Sequence, residues 1–282
     1  MTVHRLLAGA ALALALNLPA RAATDAALRE KLETYVDAFA ATGLFSGVVL
    51  VERHGHPVFA KAYGLADRSF GVPNRIDTRF QIASLSKPIT SAAIGRLVDQ
   101  GKLTFETPIG KVIQGIPNGD RITIEQLLTH YSGLDSPDRT AAYGEWRRFP
   151  TTAEGLVERV RATKPLFEPG EKYSYANANY WVLARAIEVL SGVSYGEFVQ
   201  REIFDPVGMT HTGHRADLLK VVPNLATGYQ IDGLDSYRVG EIVDWTTKTG
   251  NGSLYSTVGD RAKFYHALHA VRLLTPQTNI QF

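Results

Sequence analysis

The sequence, 282 residues long, contains no cysteine. That excludes disulfides, a thiol nucleophile and any cysteine-ligated metal, so the folded state rests on packing alone. There is no internal repeat and no low-complexity stretch. Long hydrophobic runs are also missing, with one exception. LLAGAALALALNLP follows a short basic MTVHR and leads to Ala20-Arg21-Ala22, a small-x-small site, before polar TDAALREK. The run is too short to span a bilayer, and the pattern reads as a cleavable signal peptide over residues 1–22. It predicts a bacterial periplasmic or secreted product without a stable membrane anchor. An excess of one charge is absent too. Setting aside Arg5 and Arg21 with the leader leaves 28 basic and 28 acidic residues. The pI near 8.7 therefore belongs to the precursor and gives no argument for a nucleic-acid partner.

What remains is long enough for one large domain or two small ones. Residues 25–42 place Leu28, Leu32, Tyr35, Val36 and Phe39 on one face, an amphipathic helix closed by Gly43. FSGVVLVERHGHPVFAKAYGLAD reads as a β-hairpin around a His54-Gly55-His56-Pro57 turn cluster. A polar loop follows, then a helix over SKPITSAAIGRLVDQG that ends at Gly101. From about 105 to 240 the pattern is helical pieces joined by loops, a helical subdomain with few alternating runs. GSLYSTVGDRAKFYHALHAV reads as a turn and a helix. The hairpin is left without partner strands, and two strands alone are marginal.

The stretch ASLSKP, residues 83–88, places two hydroxyls and a lysine at the start of a helix. Residues i and i+3 lie on one face, so Ser84 and Lys87 can meet while Ser86 points elsewhere. A neutral lysine beside a hydroxyl can take its proton, and the helix end offers N–H groups to an oxyanion. That is nucleophilic acyl-transfer machinery without a histidine. The same residues also suit an ordinary N-cap, so the tetrapeptide needs its context.

The context is a resemblance. FQIASLSKPITSAAIGRLVDQGKLTFETPI resembles the nucleophile segment of the serine β-lactamase and penicillin-binding-protein superfamily, most closely its class C-like branch of esterases and D-amino-acid peptidases. ITIEQLLTHYSGL, FEPGEKYSYANANYWVLARAIEVLSGVSYGEFV, EIFDPVGMTHT and GSLYSTVGDRAKF continue the match in family order, over about residues 30–270. The resemblance implies an α+β fold, an antiparallel sheet flanked by helices with a helical subdomain. It implies a serine hydrolase with Ser84 as acylated nucleophile and Lys87 as its base. Tyr175-Ala176-Asn177 matches the Tyr-x-Asn motif, with Tyr175 as acid/base and Asn177 holding Lys87 and binding substrate. No metal or organic cofactor is implied. The partner is a small-molecule or peptide substrate: a β-lactam, a D-Ala-type peptide or a small ester. The family's third motif and closing strands would lie beyond Phe282, so the chain reads as C-terminally incomplete. One oxyanion donor would then be absent, typically 10²–10³ in rate. A catalytically impaired binding or sensing protein is the alternative.

Other patterns compete. Gly192-Val193-Ser194-Tyr195-Gly196 fits G-x-S-x-G, the mark of a triad-type lipase, but a helix precedes it where an elbow needs a strand. Ser194 with Glu197 reads as a capping box. Lys248-Thr249-Gly250 and His211-Thr212-Gly213 are candidates for a third motif without the strand that motif requires. His130 with Asp135 could suggest a triad, though a scaffold histidine fits its turn better. His54/His56 and His211/His214 are lone pairs lacking further ligands for metal.

Overall fold

In the computed structural model, residues 24–233 and 236–281 are described; the expected signal peptide lies outside them. The chain divides into two compact units, one ending at Thr78 and the other beginning at Arg79.

In the first unit a helix, α1 (24–40), precedes the antiparallel hairpin β1 (Gly47–Arg53) and β2 (His56–Tyr63). His54 and Gly55 have φ of 53° and 76°, as a two-residue hairpin turn demands. His56 and Pro57 therefore belong to the strand rather than to the turn. Along α1, Leu28, Leu32 and Val36 are half-buried, whereas Tyr35 and Phe39 are exposed. Charge ties the helix to the hairpin: Lys61 Nζ donates to Asp37 at 2.9 Å and to Glu33 at 3.0 Å, and Arg53 pairs with Asp25 at 2.9 Å. The end of the stretch read as the hairpin forms a further short strand, β3 (Leu65–Asp67), and the segment read as a polar loop holds its partner, β4 (Val72–Pro73).

The second unit runs β5 (Phe80–Gln81), α2 (Lys87–Asp99), α3 (Ile124–Leu128), α4 (Tyr143–Trp146), α5 (Ala153–Arg161) and α6 (Asn177–Ser191). It continues through α7 (Tyr195–Val199), α8 (Asp205–Val207), β6 (Gly213–His214), β7 (Tyr229–Ile231), β8 (Tyr237–Val239), β9 (Leu254–Ser256), α9 (Val258–His269) and α10 (Pro276–Asn279). The stretch SYGEFVQREIF is one helical run whose turn widens over Gln200–Phe204 between α7 and α8. Helices thus surround small antiparallel sheets, the α+β class expected.

Two expectations are corrected. The 105–240 region holds strands, and the turn-like GSLYST contains β9, the central strand of a β5-β9-β6 sheet. Each strand is two or three residues long, too short to show an alternating pattern. Their pairing depends on partners more than 170 positions away in the case of β5 and β9, which face each other as Phe80 with Ser256.

The core forms around α2 and α6. Ile89, Ala92, Ala93, Ile94 and Leu97 of α2 are fully buried, as are Trp181, Val182, Leu183, Ala186 and Ile187 of α6. Helices apolar around most of their circumference belong inside. Burial of each large side chain stabilises by about 1.5–3 kcal/mol. The loop before β9 is pressed against both helices at Gly250, whose φ is 84°. A Cβ there would strike the Tyr180 carbonyl and lie 2.7 Å from Ala184 Cβ, and the Gly250 carbonyl accepts from Thr90 Oγ1 at 2.6 Å. Only glycine fits that approach. Gly250→Ala is expected to lower stability by at least about 2 kcal/mol in denaturant titration. Gly192→Ala, at a similar φ of 78° with open space around it, should cost about 1 kcal/mol. Equal losses would contradict the packing account.

Candidate active site

Ser84 sits in a tight 3₁₀ turn, Ala83–Ser86, that runs directly into α2. With three residues per turn, positions i and i+3 eclipse, and Lys87 Nζ lies 3.1 Å from Ser84 Oγ. The tighter turn, rather than an ordinary α-helical face, stacks the pair. Ala83 enters it at φ 44°, a left-handed conformation that costs a non-glycine residue about 1–2 kcal/mol. Such strain collects at functional sites, and here it adjoins an exposed serine. β9 fastens the turn from both sides. The Leu254 carbonyl accepts from Ile82 N at 3.0 Å, and Leu254 N donates to Ser86 Oγ at 3.2 Å. Ser86 does point away from Lys87, and as a fully buried side chain it joins the turn to the sheet.

Lys87 is buried, and its Nζ has four oxygen neighbours. They are the Tyr175 hydroxyl at 2.6 Å, Asn177 Oδ1 at 3.0 Å, Ser84 Oγ at 3.1 Å and the Asn251 carbonyl at 3.1 Å. Asn177 Oδ1 and the Asn251 carbonyl can only accept, so they take two N–H bonds. One tetrahedral position is left for Ser84 and Tyr175, whose hydroxyl oxygens are 2.8 Å apart. It carries a hydrogen in the ammonium and a lone pair in the neutral amine. Burial pushes the Lys87 ammonium below the ordinary lysine value; Tyr175 opposes that push, the charge of Lys248 adds to it, and Asp138 opposes it.

Tyr175 and Asn177 reach the lysine because Ala176 between them is extended, with φ −140° and ψ 125°. In extended chain, residues two apart share a face, which gives the Tyr-x-Asn spacing its physical sense. Asn177 then opens α6. Its Nδ2 donates to Asp138 Oδ2 at 2.6 Å. Asp138 stands on the 3₁₀ turn Pro137–Arg139, and its other oxygen accepts from the Ser136 hydroxyl at 2.6 Å. Arg139, on the same turn, donates to the Tyr175 carbonyl. Asn251 and Asp138 both escaped the sequence reading. Asn251 contributes a backbone oxygen, for which no residue type signals, while its Oδ1 accepts from Trp181 Nε1 at 2.9 Å. Asp138 lies in GLDSPDRT, where Asp135 is an equally plain carboxylate on sequence alone.

None of the competing candidates supplies an oxygen to Lys87 Nζ, although His130 and Lys248 border the cluster. Asp135 accepts from Ser136 N at 2.7 Å and faces Arg139 at 3.8 Å. His130 Nδ1 accepts from Ala176 N at 3.2 Å and lies 3.1 Å from Asn179 Nδ2, and its ring packs 4.6 Å from that of Tyr175. Ser194 caps α7 by accepting from Glu197 N at 3.2 Å. Lys248 ends a 3₁₀ turn rather than sitting on an edge strand. His211 N donates to Asp260 at 2.7 Å, and of its triplet only Gly213 is in a strand. Among the described residues, no three His, Asp or Glu side chains gather as metal ligands, and no helix is long and apolar enough to cross a membrane.

His130 and His214 carry a pH consequence. Burial pushes both down to about 4, with the charge of Lys87 adding to the effect on His130. Unfolded histidine titrates near 6.5, so between about pH 4 and 6.5 the unfolded chain binds more protons. Stability should therefore fall as pH drops through that window and level off below it. His214→Leu is expected to flatten the slope between pH 4.5 and 7.5 in chemical denaturation; an unchanged slope would contradict this.

Against known proteins, the beta-lactamase family model matches residues 28–282. The chain is similar to the putative penicillin-binding protein PbpX of Bacillus subtilis, 33% identical over 224 residues, covering 79% of this chain and 55% of that protein. It is 28% identical to the teichoic acid D-alanine hydrolase of Staphylococcus aureus over 247 residues, 86% of this chain and 59% of that one. The chain thus spans somewhat more than half the length of these curated relatives. Among solved structures, a penicillin-binding protein from Bacillus halodurans is 28% identical with a TM-score of 0.74, covering 83% of this chain and 72% of its own. The chain belongs to the beta-lactamase family, a family of serine hydrolases with a beta-lactamase/transpeptidase-like fold.

Proposed function

We propose that this chain hydrolyses acyl substrates through an acyl-enzyme on Ser84. The observation that carries the reading is the coordination of Lys87. Two acceptors hold the amine from behind, and the one remaining position faces two hydroxyls. In the neutral amine that position is a lone pair. It takes the Ser84 proton as Oγ attacks the acyl carbon, and the tetrahedral oxyanion forms beside the backbone N–H of Ser84. Tyr175 passes its hydroxyl proton to the leaving group and is refilled from the Lys87 ammonium, 2.6 Å away. In the second half a water attacks the acyl-enzyme and gives its proton to the Tyr175–Lys87 pair, and Ser84 leaves reprotonated. The bonds of Lys87 to Asn177 and Asn251 persist in both protonation states, so each transfer needs little movement.

The substrates that fit are carboxylic acid derivatives open to a surface serine: D-alanyl esters and peptides, small esters and β-lactams. The name of the staphylococcal relative, a teichoic acid D-alanine hydrolase, speaks for a D-alanyl group. Read with residues 1–22 as an export signal, the enzyme would meet its substrate outside the cytoplasm.

Purified protein assayed with a D-alanyl ester, a D-Ala-D-Ala peptide, p-nitrophenyl acetate and a chromogenic cephalosporin tests this. At least one should turn over. Ser84→Ala should lose about 10³-fold or more in kcat, and Tyr175→Phe about 10²–10⁴-fold. Folded protein that turns over none of the four would sink the proposal. A stable adduct without turnover would favour the binding or sensing alternative.

A further inference from the structure

Behind Asn177 lies a chain of polar contacts that the proposed mechanism does not use. Lys248 Nζ is 3.9 Å from Asp138 Oδ2, the same oxygen that accepts from Asn177 Nδ2 at 2.6 Å, and Asn177 Oδ1 accepts from Lys87 Nζ at 3.0 Å. The Asp138 side chain is 8% exposed and that of Lys248 20%. We infer that Asp138, paired with Lys248, is a positioning residue that fixes the Asn177 amide with its oxygen on Lys87 and biases the charge of that lysine.

The orientation follows from charge. With Asn177 as found, its carbonyl meets a potential cation and its NH₂ meets an anion. Turned over, NH₂ would face Lys87 and the carbonyl would face the carboxylate, two repulsive contacts in a partly desolvated site. Asp138 cannot rotate away, since Ser136 Oγ donates to its other oxygen at 2.6 Å and is itself held by Ala178 N at 3.0 Å. Lys248 is placed by the Tyr143 ring, 4.6 Å from its Nζ, and balances the carboxylate. The asparagine keeps one free Nδ2 hydrogen for substrate.

The same two charges act on Lys87 in opposite senses. Asp138 favours its ammonium and Lys248 disfavours it. The other titratable groups facing Lys87 are Tyr175, the Tyr180 ring 5.4 Å from Nζ, and His130, which burial keeps neutral. None of these changes when Asp138 or Lys248 is replaced. This inference rests on the proposed role of Lys87 as base, and its test reads the lysine directly rather than turnover.

The full chain labelled with [ε-¹³C]lysine would be titrated by NMR, with the Lys87 signal identified by its loss in Lys87→Met. Asp138→Asn should move the Lys87 midpoint down and Lys248→Met should move it up, each by roughly one pH unit. The double variant should return towards wild type. Midpoints that stay put, or that move in the same direction in both variants, overturn the inference. If Asp138→Asn fails to fold, Lys248→Met decides alone, an unmoved midpoint counting against. Midpoints that shift as expected while Ser84 takes no acyl group would sink the hydrolase reading and leave this one standing.

Discussion

A lysine nitrogen enclosed by four oxygens is the constraint on which this site depends. Desolvating an ammonium costs several kcal/mol even after the protein relaxes, so a buried lysine must be met by oxygens or shed its proton. Here four oxygens meet Lys87 Nζ, and burial also pushes its ammonium below the ordinary lysine value. Its oxygens come from the 3₁₀ turn ahead of α2, from the start of α6 with the residue two before it, and from the turn ahead of β9. The core draws these segments together. The buried faces of α2 and α6 pack in one cluster, Gly250 lets the third segment press on α6, and Leu254 clamps the serine turn. Gly250 and Trp181, distant from Ser84 in sequence, bear on the lysine through Asn251, which the first adjoins and the second holds.

The order of protonation events in the proposed mechanism follows from the same geometry. Two pure acceptors leave a single direction in which Lys87 can gain or lose a proton, and the Ser84 and Tyr175 hydroxyls share it. Desolvation pushes the Lys87 ammonium below the ordinary lysine value, which favours the neutral amine relative to an exposed lysine. Histidine takes no part in this transfer: His130 sits behind the Tyr175 ring and accepts a backbone N–H.

Much of this was legible in the amino-acid sequence because it is local. The serine and lysine three apart and the long helices α2 and α6 are short-range patterns, while the tyrosine and asparagine two apart were picked out by the family resemblance. The hairpin turn was legible from His54-Gly55, though the second strand begins at His56 and takes in the last two residues of the turn cluster. What the sequence withheld is long-range or independent of side chain. The β5-β9-β6 sheet is built from strands too short for any periodicity, and Asn251 acts through its carbonyl. Asp138 became visible once the fold set its carboxylate against Asn177, whereas the nearer-looking His130 with Asp135 never assembles into a pair. Ser86, which the i, i+3 spacing turns away from Lys87, is fully buried and accepts from Leu254 N.

The central claim is that Ser84, of all the hydroxyls in the chain, is the one activated by Lys87. Peptide-mapping mass spectrometry after reaction with a fluorophosphonate at pH 8 addresses it most directly. The account predicts one phosphonyl group per chain, located on Ser84, and none in Lys87→Met. An adduct on Ser86 or Ser194, or undiminished labelling of Ser84 without Lys87, would contradict it.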